Sequence, residues 1–170
     1  KERRRGQYLS TLDPVQTTKV TVTELQKAAC CNLSESFETN ASVDVAYSDA
    51  VTGAQQIKML GLSGAYVQTI SENIPSIRGM AAPYGLGYIP GPWMESIQIS
   101  KGTSSVVNGY EAITGQINVE YKKPFSDEKF HFNLYGNSEL RSEANLNASY
   151  KFPDSLSTMV LLHGENQNTQ

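Results

Sequence analysis

The sequence has little of what most chemistries need. Its 170 residues hold two cysteines, two histidines and one tryptophan, and 14 basic residues stand against 17 acidic ones. Without a basic surplus the chain does not read as a nucleic-acid binder. Cys30 and Cys31 are adjacent, so they cannot staple distant loops, and a disulfide framework is excluded. With no Cys-x-x-Cys spacing and only His131 and His163 elsewhere, a metal site has no support. The cysteines read as two small helical residues, one buried, rather than as a redox pair. No apolar run is long enough for a transmembrane helix. The phosphate-loop pattern GxxxxGK(S/T) is absent: Lys101-Gly102-Thr103 lacks the glycine five residues earlier and is soon followed by a strand. The dinucleotide pattern GxGxxG is missing too. No Ser/His/Asp set or carboxylate pair stands at a telling position, so an enzyme is the least favoured class, and no cofactor is implied. There is no signal peptide, and the abrupt charged start without Met is expected of a chain that begins inside a mature protein. Its one basic cluster, residues 1–6, reads as a solvated end.

What is present is enough for one ordinary domain with a core. "TTKVTVTELQKAACCNLSESFE" reads as a short strand running into a helix. Thr23 and Gln26 have capping-box spacing, and Leu25, Ala28, Ala29, Leu33 and Phe37 form one apolar stripe. "SVDVAY" alternates as a strand with Val43, Val45 and Tyr47 on one side. "AQQIKMLGL" and "AYVQTISENIP" are two further strands, the second closed by Asn73 and Pro75. "RGMAAPYGLGYIPGPW" is too rich in Gly and Pro for regular structure through most of its length. "ESIQIS" and "TGQINVEY" are strands, the latter with Ile113, Ile117 and Val119 on one face. Between them "SSVVNGYEA" has room for one helical turn, Asn108-Gly109 supplies a turn, and Gly115 permits close backbone approach.

After Pro124 the texture changes. "KFHFNLYGN" sets Phe130, Phe132 and Leu134 against His131 and Asn133. "EANLNASYKF" sets Ala144, Leu146, Ala148, Tyr150 and Phe152 against Asn145, Asn147, Ser149 and Lys151. Phe152-Pro153-Asp154-Ser155 is a tight turn, and "LSTMVLLHGEN" is a third strand. Strands of about ten residues with one apolar and one polar face are the mark of an outer-membrane barrel wall. An ordinary hairpin sheet on a soluble core has the same pattern.

"MESIQISKGTSSVVNGYEAITGQINVEYKKP" resembles the closing segment of the plug domain of TonB-dependent outer-membrane receptors. "QQIKMLGL" and "TISENIP" resemble two plug strands upstream, with Leu60 where the family usually has Arg before Gly61, and Gln98 in place of a second acidic residue after Glu95. The resemblance implies an α+β chain. A plug domain (residues 1–124), with a small mixed sheet and short helices, is followed by antiparallel β-hairpin strands from the start of a transmembrane β-barrel (125–170). It also implies a location in the cell outer membrane, with the plug inside the barrel facing the periplasm. Its partners are then a transported small ligand (metal chelate, cobalamin-like cofactor, glycan or peptide), a TonB-type energiser protein and outer-membrane lipid, with no nucleic acid. The energiser-binding box is not identifiable in the first 14 residues.

The 78–93 loop is the candidate ligand-facing apex. Arg78 suits an anionic ligand group, and Met80, Tyr84, Tyr88 and Trp93 suit stacking on a ligand. The same aromatics also suit packing of the loop on its own sheet. No catalytic or metal residues are expected. Three strands cannot close a barrel, so the chain is expected to self-associate through exposed strands. The competing reading is a secreted or periplasmic α+β ligand-binding module with a β-hairpin extension.

Overall fold

The computed structural model describes residues 7–10, 17–27, 32–37, 40, 43–47, 55–62, 64–103, 107, 109–125, 129–138, 141–153 and 155–166; side chains at 7–10, 26, 27, 80, 83 and 84 lie outside the description. The chain divides into two compact units, Lys1–Tyr121 and Lys122–Gln170.

The first unit is a mixed sheet with short helices. Strands β1 (Gln7–Ser10), β2 (Thr17–Thr21), β5 (Val67–Ser71), β6 (Ile74–Ile77), β7 (Met94–Lys101) and β8 (Gly115–Tyr121) lie in the order β1-β2-β7-β8-β5-β6. Only the β5–β8 pair within it is parallel, with Val67 opposite Gly115 and Ser71 opposite Val119. A separate hairpin joins β3 (Val43–Tyr47) to β4 (Gln55–Met59), with Val43 opposite Met59. The helical elements bounded within the described residues are short: α1 (Val22–Lys27), α2 (Ala82–Gly85) and single 3₁₀ turns at Glu35–Phe37, Gly64–Tyr66, Gly79–Ala81 and Gly91–Trp93.

The alternation of β7 and β8 sends Ile97, Ile99, Ile117 and Val119 into the core with Val20, Leu33, Phe37 and Met59, all nearly inaccessible. Gly115 opens β8 where Met59 crosses it. A Cβ there would fall on Met59 Sδ and lie 2.5 Å from the Ser100 carbonyl oxygen, so the expected close approach is real.

Several local expectations are corrected. The helix begins at Val22, which puts Thr23 inside it and not at its cap. Leu33 and Phe37 are buried, but they sit in a turn and a 3₁₀ turn, not on a continued helical stripe. Cys30, Cys31, Ala28 and Ala29 lie outside the described residues, as does most of 104–108. Tyr47 is exposed at the strand end, and Ile113 is exposed before β8 begins. Asn73 and Pro75 do not close β5. The chain reverses at Glu72-Asn73, with φ of 52° and 64°, and returns as β6, whose Pro75 is tolerated because that strand is the sheet edge. A similar reversal follows β4. Met59 and Leu62 exchange both backbone hydrogen bonds across Leu60-Gly61, which holds Leu60 at φ 54°. A branched side chain in that region costs about 1 kcal/mol.

The second unit is a three-stranded antiparallel sheet ordered β11-β10-β9: β9 (Phe130–Gly136), β10 (Ser142–Lys151) and β11 (Ser157–Asn166). Cross-strand rows run Phe132–Leu146–Leu162 on one face and Asn133–Asn145–His163 on the other. Burial is inverted relative to a soluble sheet. Phe130, Phe132, Leu134, Tyr150 and Leu162 are exposed, while Glu143, Asn145 and Asn147 are buried. Among the described residues every buried apolar side chain belongs to the first unit. The polar face carries a linked set: Arg141 pairs with Glu143 at 2.6 Å and with Glu165 at 3.0 Å, and His163 Nδ1–H donates to Asn145 Oδ1 at 2.7 Å.

Candidate functional site

The pairing registers give the mixed sheet two distinct ends. At one end lie the starts of β2, β5 and β8 and the ends of β1, β6 and β7, since Thr17 faces Ser100, Lys101 faces Gly115 and Gly115 faces Val67. The loops 60–66 and 102–114 and the first residues of 78–93 emerge there. At the other end lie the Glu72-Asn73 turn, Met94, and Tyr121, from which the chain leaves for the second unit.

Arg78 leaves β6 at the loop end. Its Nε–H donates to both carboxylate oxygens of Glu111, at 3.1 and 2.9 Å, across 33 residues of sequence. This hydrogen bond first, and the charge of Glu111 second, hold the guanidinium above its usual pKa. Both partners keep solvent contact, with side-chain exposures of 47% and 24%. The following residues are anchored to the scaffold: the Tyr66 carbonyl accepts from Ile113 N–H, Thr114 N–H and Thr114 Oγ1–H at 2.9–3.1 Å. The residues before it project outward, with Val107 and Tyr110 nearly fully exposed, and Gly109 has φ 104°.

Of the residues expected at the site, Arg78 is at this end and Tyr88 is exposed, on a turn whose neighbour Ile89 accepts a hydrogen bond from Leu33 N–H. Trp93 is half-buried and precedes Met94, at the opposite end. β6 ends at Ile77, level with Ile99 and five residues along β7 from Met94, so roughly 17 Å of strand at about 3.4 Å per residue separates the point where Arg78 leaves the sheet from Met94. The side chains of Met80 and Tyr84 lie outside the described residues. The sequence reading did not single out Glu111, because nothing in local spacing links it to Arg78. A cleft of about 130 Å³ opens between β4, β5 and the 79–86 turns, lined by Gln55, Gln56, Gly64, Thr69 and Leu86. It is smaller than the roughly 300–1,000 Å³ of ordinary small-molecule pockets.

A second polar cluster crosses β2, β7 and β8. Glu120 accepts from Ser96 Oγ and Gln98 Nε2, each at 2.7 Å, and from Lys19 Nζ at 3.3 Å. Gln98 therefore serves as a donor to an acid already present on β8. A third ties the Glu72-Asn73 turn to β8. Asn118 Oδ1 accepts from Asn73 N–H at 3.0 Å and Asn118 Nδ2 donates to Asn73 Oδ1 at 3.1 Å, while Tyr121 N–H donates to Glu72 Oε1 at 2.7 Å. Among the described residues no three His, Cys, Asp or Glu side chains gather as a metal site, and no helix is long and apolar enough to cross a membrane, which says nothing of strands.

The family model of the TonB-dependent Receptor Plug Domain matches residues 11–116, well over half of the chain. The chain belongs to that family. No curated protein matches it in sequence. Its fold is that of solved outer-membrane receptors. The pyoverdine receptor FpvA of Pseudomonas aeruginosa PAO1 aligns over 98% of this chain (TM-score 0.73, 16% identity). The ferric-catecholate import receptor Fiu of E. coli K12 aligns over 91% (0.72, 18%), and the alcaligin receptor FauA of Bordetella pertussis over 92% (0.73, 13%). The chain spans only 23%, 22% and 27% of their respective lengths. At these identities the likeness is one of fold: a plug with a mixed sheet, then antiparallel strands that begin a barrel.

Proposed function

We propose that the chain is part of an energised outer-membrane importer, with residues 1–124 as the plug and 125–170 as the first strands of its barrel. The observation that carries this is the inverted burial of β9–β11, apolar outward and polar inward, directly after a plug-family unit. A soluble binding module with a hairpin extension gives no reason for that inversion. Strands β10 and β11 have ten residues each, the length that a tilted strand needs to cross a bilayer.

In this reading the protein does no bond chemistry. A scarce ligand binds at the outer face, a TonB-type energiser acts on the plug from the periplasm, and a path opens. The solved receptors of similar fold take up pyoverdine, alcaligin and ferric catecholates, which favours a metal chelate over a glycan or peptide. Arg78 meets an anionic group of that ligand, with Met80, Tyr84 and the exposed Tyr88 further along the same loop; Trp93 makes a separate contact. Phe132→Cys and Asn145→Cys, each introduced alone after Cys30→Ala and Cys31→Ala remove the native thiols, in the full-length receptor reconstituted in vesicles, test the reading. Phe132→Cys is expected to react with a lipid-soluble maleimide only and Asn145→Cys with a water-soluble one only. Equal labelling of both by the water-soluble reagent refutes a barrel wall.

A further inference from the structure

The cleft between β4, β5 and the 79–86 turns differs in chemistry from the ion pair at Arg78. Its wall is apolar at Ile57, Val67 and Leu86, and among the described residues no charged side chain lines it. A neutral group therefore suits it better than an ion. Glycines shape its edges. At Gly64 a Cβ would lie 2.9 Å from the Ile57 carbonyl oxygen, and at Gly79, with φ 56°, it would meet nothing within 4 Å. Thr69 is the exception in the wall. The cross-strand row Ile99–Ile117–Thr69–Ile77 sends three isoleucines and one threonine to the same face, and Thr69 is only 5% exposed. Valine has the same shape with no hydroxyl to satisfy, so core packing by itself gives no reason for threonine here. The cleft is where a partner for that hydroxyl can come from. The period of β4 also sets Gln55 on the side of Ile57, which adds an amide to the lining. Size decides what fits. An apolar cavity of about 150 Å³ takes up one benzene ring, and this cleft measures about 130 Å³.

We propose that the cleft is a subsite for a single neutral aromatic ring that bears a hydroxyl, a phenol-type group carried by a larger ligand. The ring lies against Ile57, Val67 and Leu86, and its hydroxyl exchanges a hydrogen bond with Thr69 Oγ1. The remainder of the ligand stays outside, since the cleft has room for one ring. Gly79 directly follows Arg78, so the ring contact and the anion contact belong to one stretch of chain. This rests on the reading that the loop end of the sheet faces the ligand.

The test uses the full-length receptor in detergent, with para-fluorophenol and fluorobenzene as probes read by fluorine NMR. Detergent takes up both probes, so the share of the cleft is what Ala82→Leu, which fills it, removes; Ala65→Leu is a second filling variant. Both are expected to abolish the saturable binding of both probes. Thr69→Val keeps the shape and removes the hydroxyl. It is expected to weaken para-fluorophenol about fivefold, the scale of one neutral hydrogen bond, and to leave fluorobenzene bound as tightly or more so. Para-fluorophenol should also slow hydrogen exchange in 64–67 and 79–86 of the unsubstituted receptor and not of Ala82→Leu. Protection of β7 and β8 in every variant verifies folding. Equal probe binding with the cleft open and filled overturns the proposal, and so does a Thr69→Val effect that is nil or equal for the two probes. Energiser-dependent uptake of a ferric chelate is scored separately: a receptor that binds the ring but imports nothing keeps the subsite and loses the transport reading.

Discussion

Gly115→Ala offers the sharpest probe of the packing. Gly115 is buried at the first position of β8, opposite Lys101 of β7 and Val67 of β5. The added Cβ would sit 2.5 Å from the Ser100 carbonyl oxygen, where real Cβ contacts are essentially never under 3.0 Å, so backbone must part by about 0.5 Å. It would also fall on Met59 Sδ, in the centre of the core. Overpacking of this kind costs about 1–3 kcal/mol. The upper end is expected, because one of the two obstacles is main chain and cannot change rotamer. Gly85→Ala is the comparison: the three atoms nearest its Cβ all belong to the half-buried side chain of Ile77, the first at 2.7 Å, and the expected loss is about 1 kcal/mol. Urea unfolding of the 1–121 unit, followed by emission of its one tryptophan, Trp93, measures both. Met59→Ala is itself costly because it leaves a core cavity, but in that background the added cost of Gly115→Ala should shrink without vanishing, since the Ser100 oxygen remains. A Gly115→Ala loss under about 0.5 kcal/mol, or no added cost at all in the Met59→Ala background, refutes the reasoning.

Asn118→Ala removes both bonds to Asn73 and should cost about 1–2 kcal/mol, with faster hydrogen exchange at Ile74 in β6 while β7 stays protected. Gln98→Glu sets a second carboxylate where Gln98 now donates to Glu120 at 2.7 Å. Its loss of about 2 kcal/mol at pH 7 should fade in acid, because mutual repulsion raises the folded-state pKa of the pair and the penalty is lost as pH falls through it; urea midpoints across pH check the sign. Leu146→Arg, in the Phe132–Leu146–Leu162 row, should cost about 2–4 kcal/mol for insertion into lipid vesicles if that row lies near mid-bilayer, measured by folding yield against urea.

The strands that the sequence displayed best are those whose two faces differ in polarity. β7, β9 and β10 alternate cleanly, each with a period of two, whereas β11 carries four consecutive apolar residues, Met159 to Leu162, and was readable as a strand only from its length and the turn before it. β6 was hidden because Asn73 and Pro75 are ordinary stop signals. What makes them part of a hairpin is tertiary: Asn118, 45 residues away, holds the turn. The α1 stripe looked longer than it is because Leu33 and Phe37 fall at helical spacing by position yet reach the core from turns. The site was legible only in part. Arg78 was visible as a lone cation at the head of an aromatic loop, but its partner Glu111 depends on two loops meeting at one end of the sheet, which local sequence does not encode. Trp93, close to Arg78 in sequence, is carried away from it by the path of the loop.

The place of β8 in the strand order has a consequence for how the molecule is made. This strand is the last of the first unit to leave the ribosome, yet it is the centre of the sheet, between β7 and β5. Until residues 115–121 exist, Val67 and Ile70 on β5 have no neighbouring strand on that side, and β1, β2 and β7 have nothing to join. The two halves of the nascent sheet are therefore strangers through most of synthesis, and their union waits for a non-local, parallel pairing, which is slow to form. A chain stopped short of Gly115 should behave as a collapsed, sticky intermediate however much of the unit it contains. For as long as that keystone is missing, the facing edges of β5 and β7 stay open to pairing with the wrong strand.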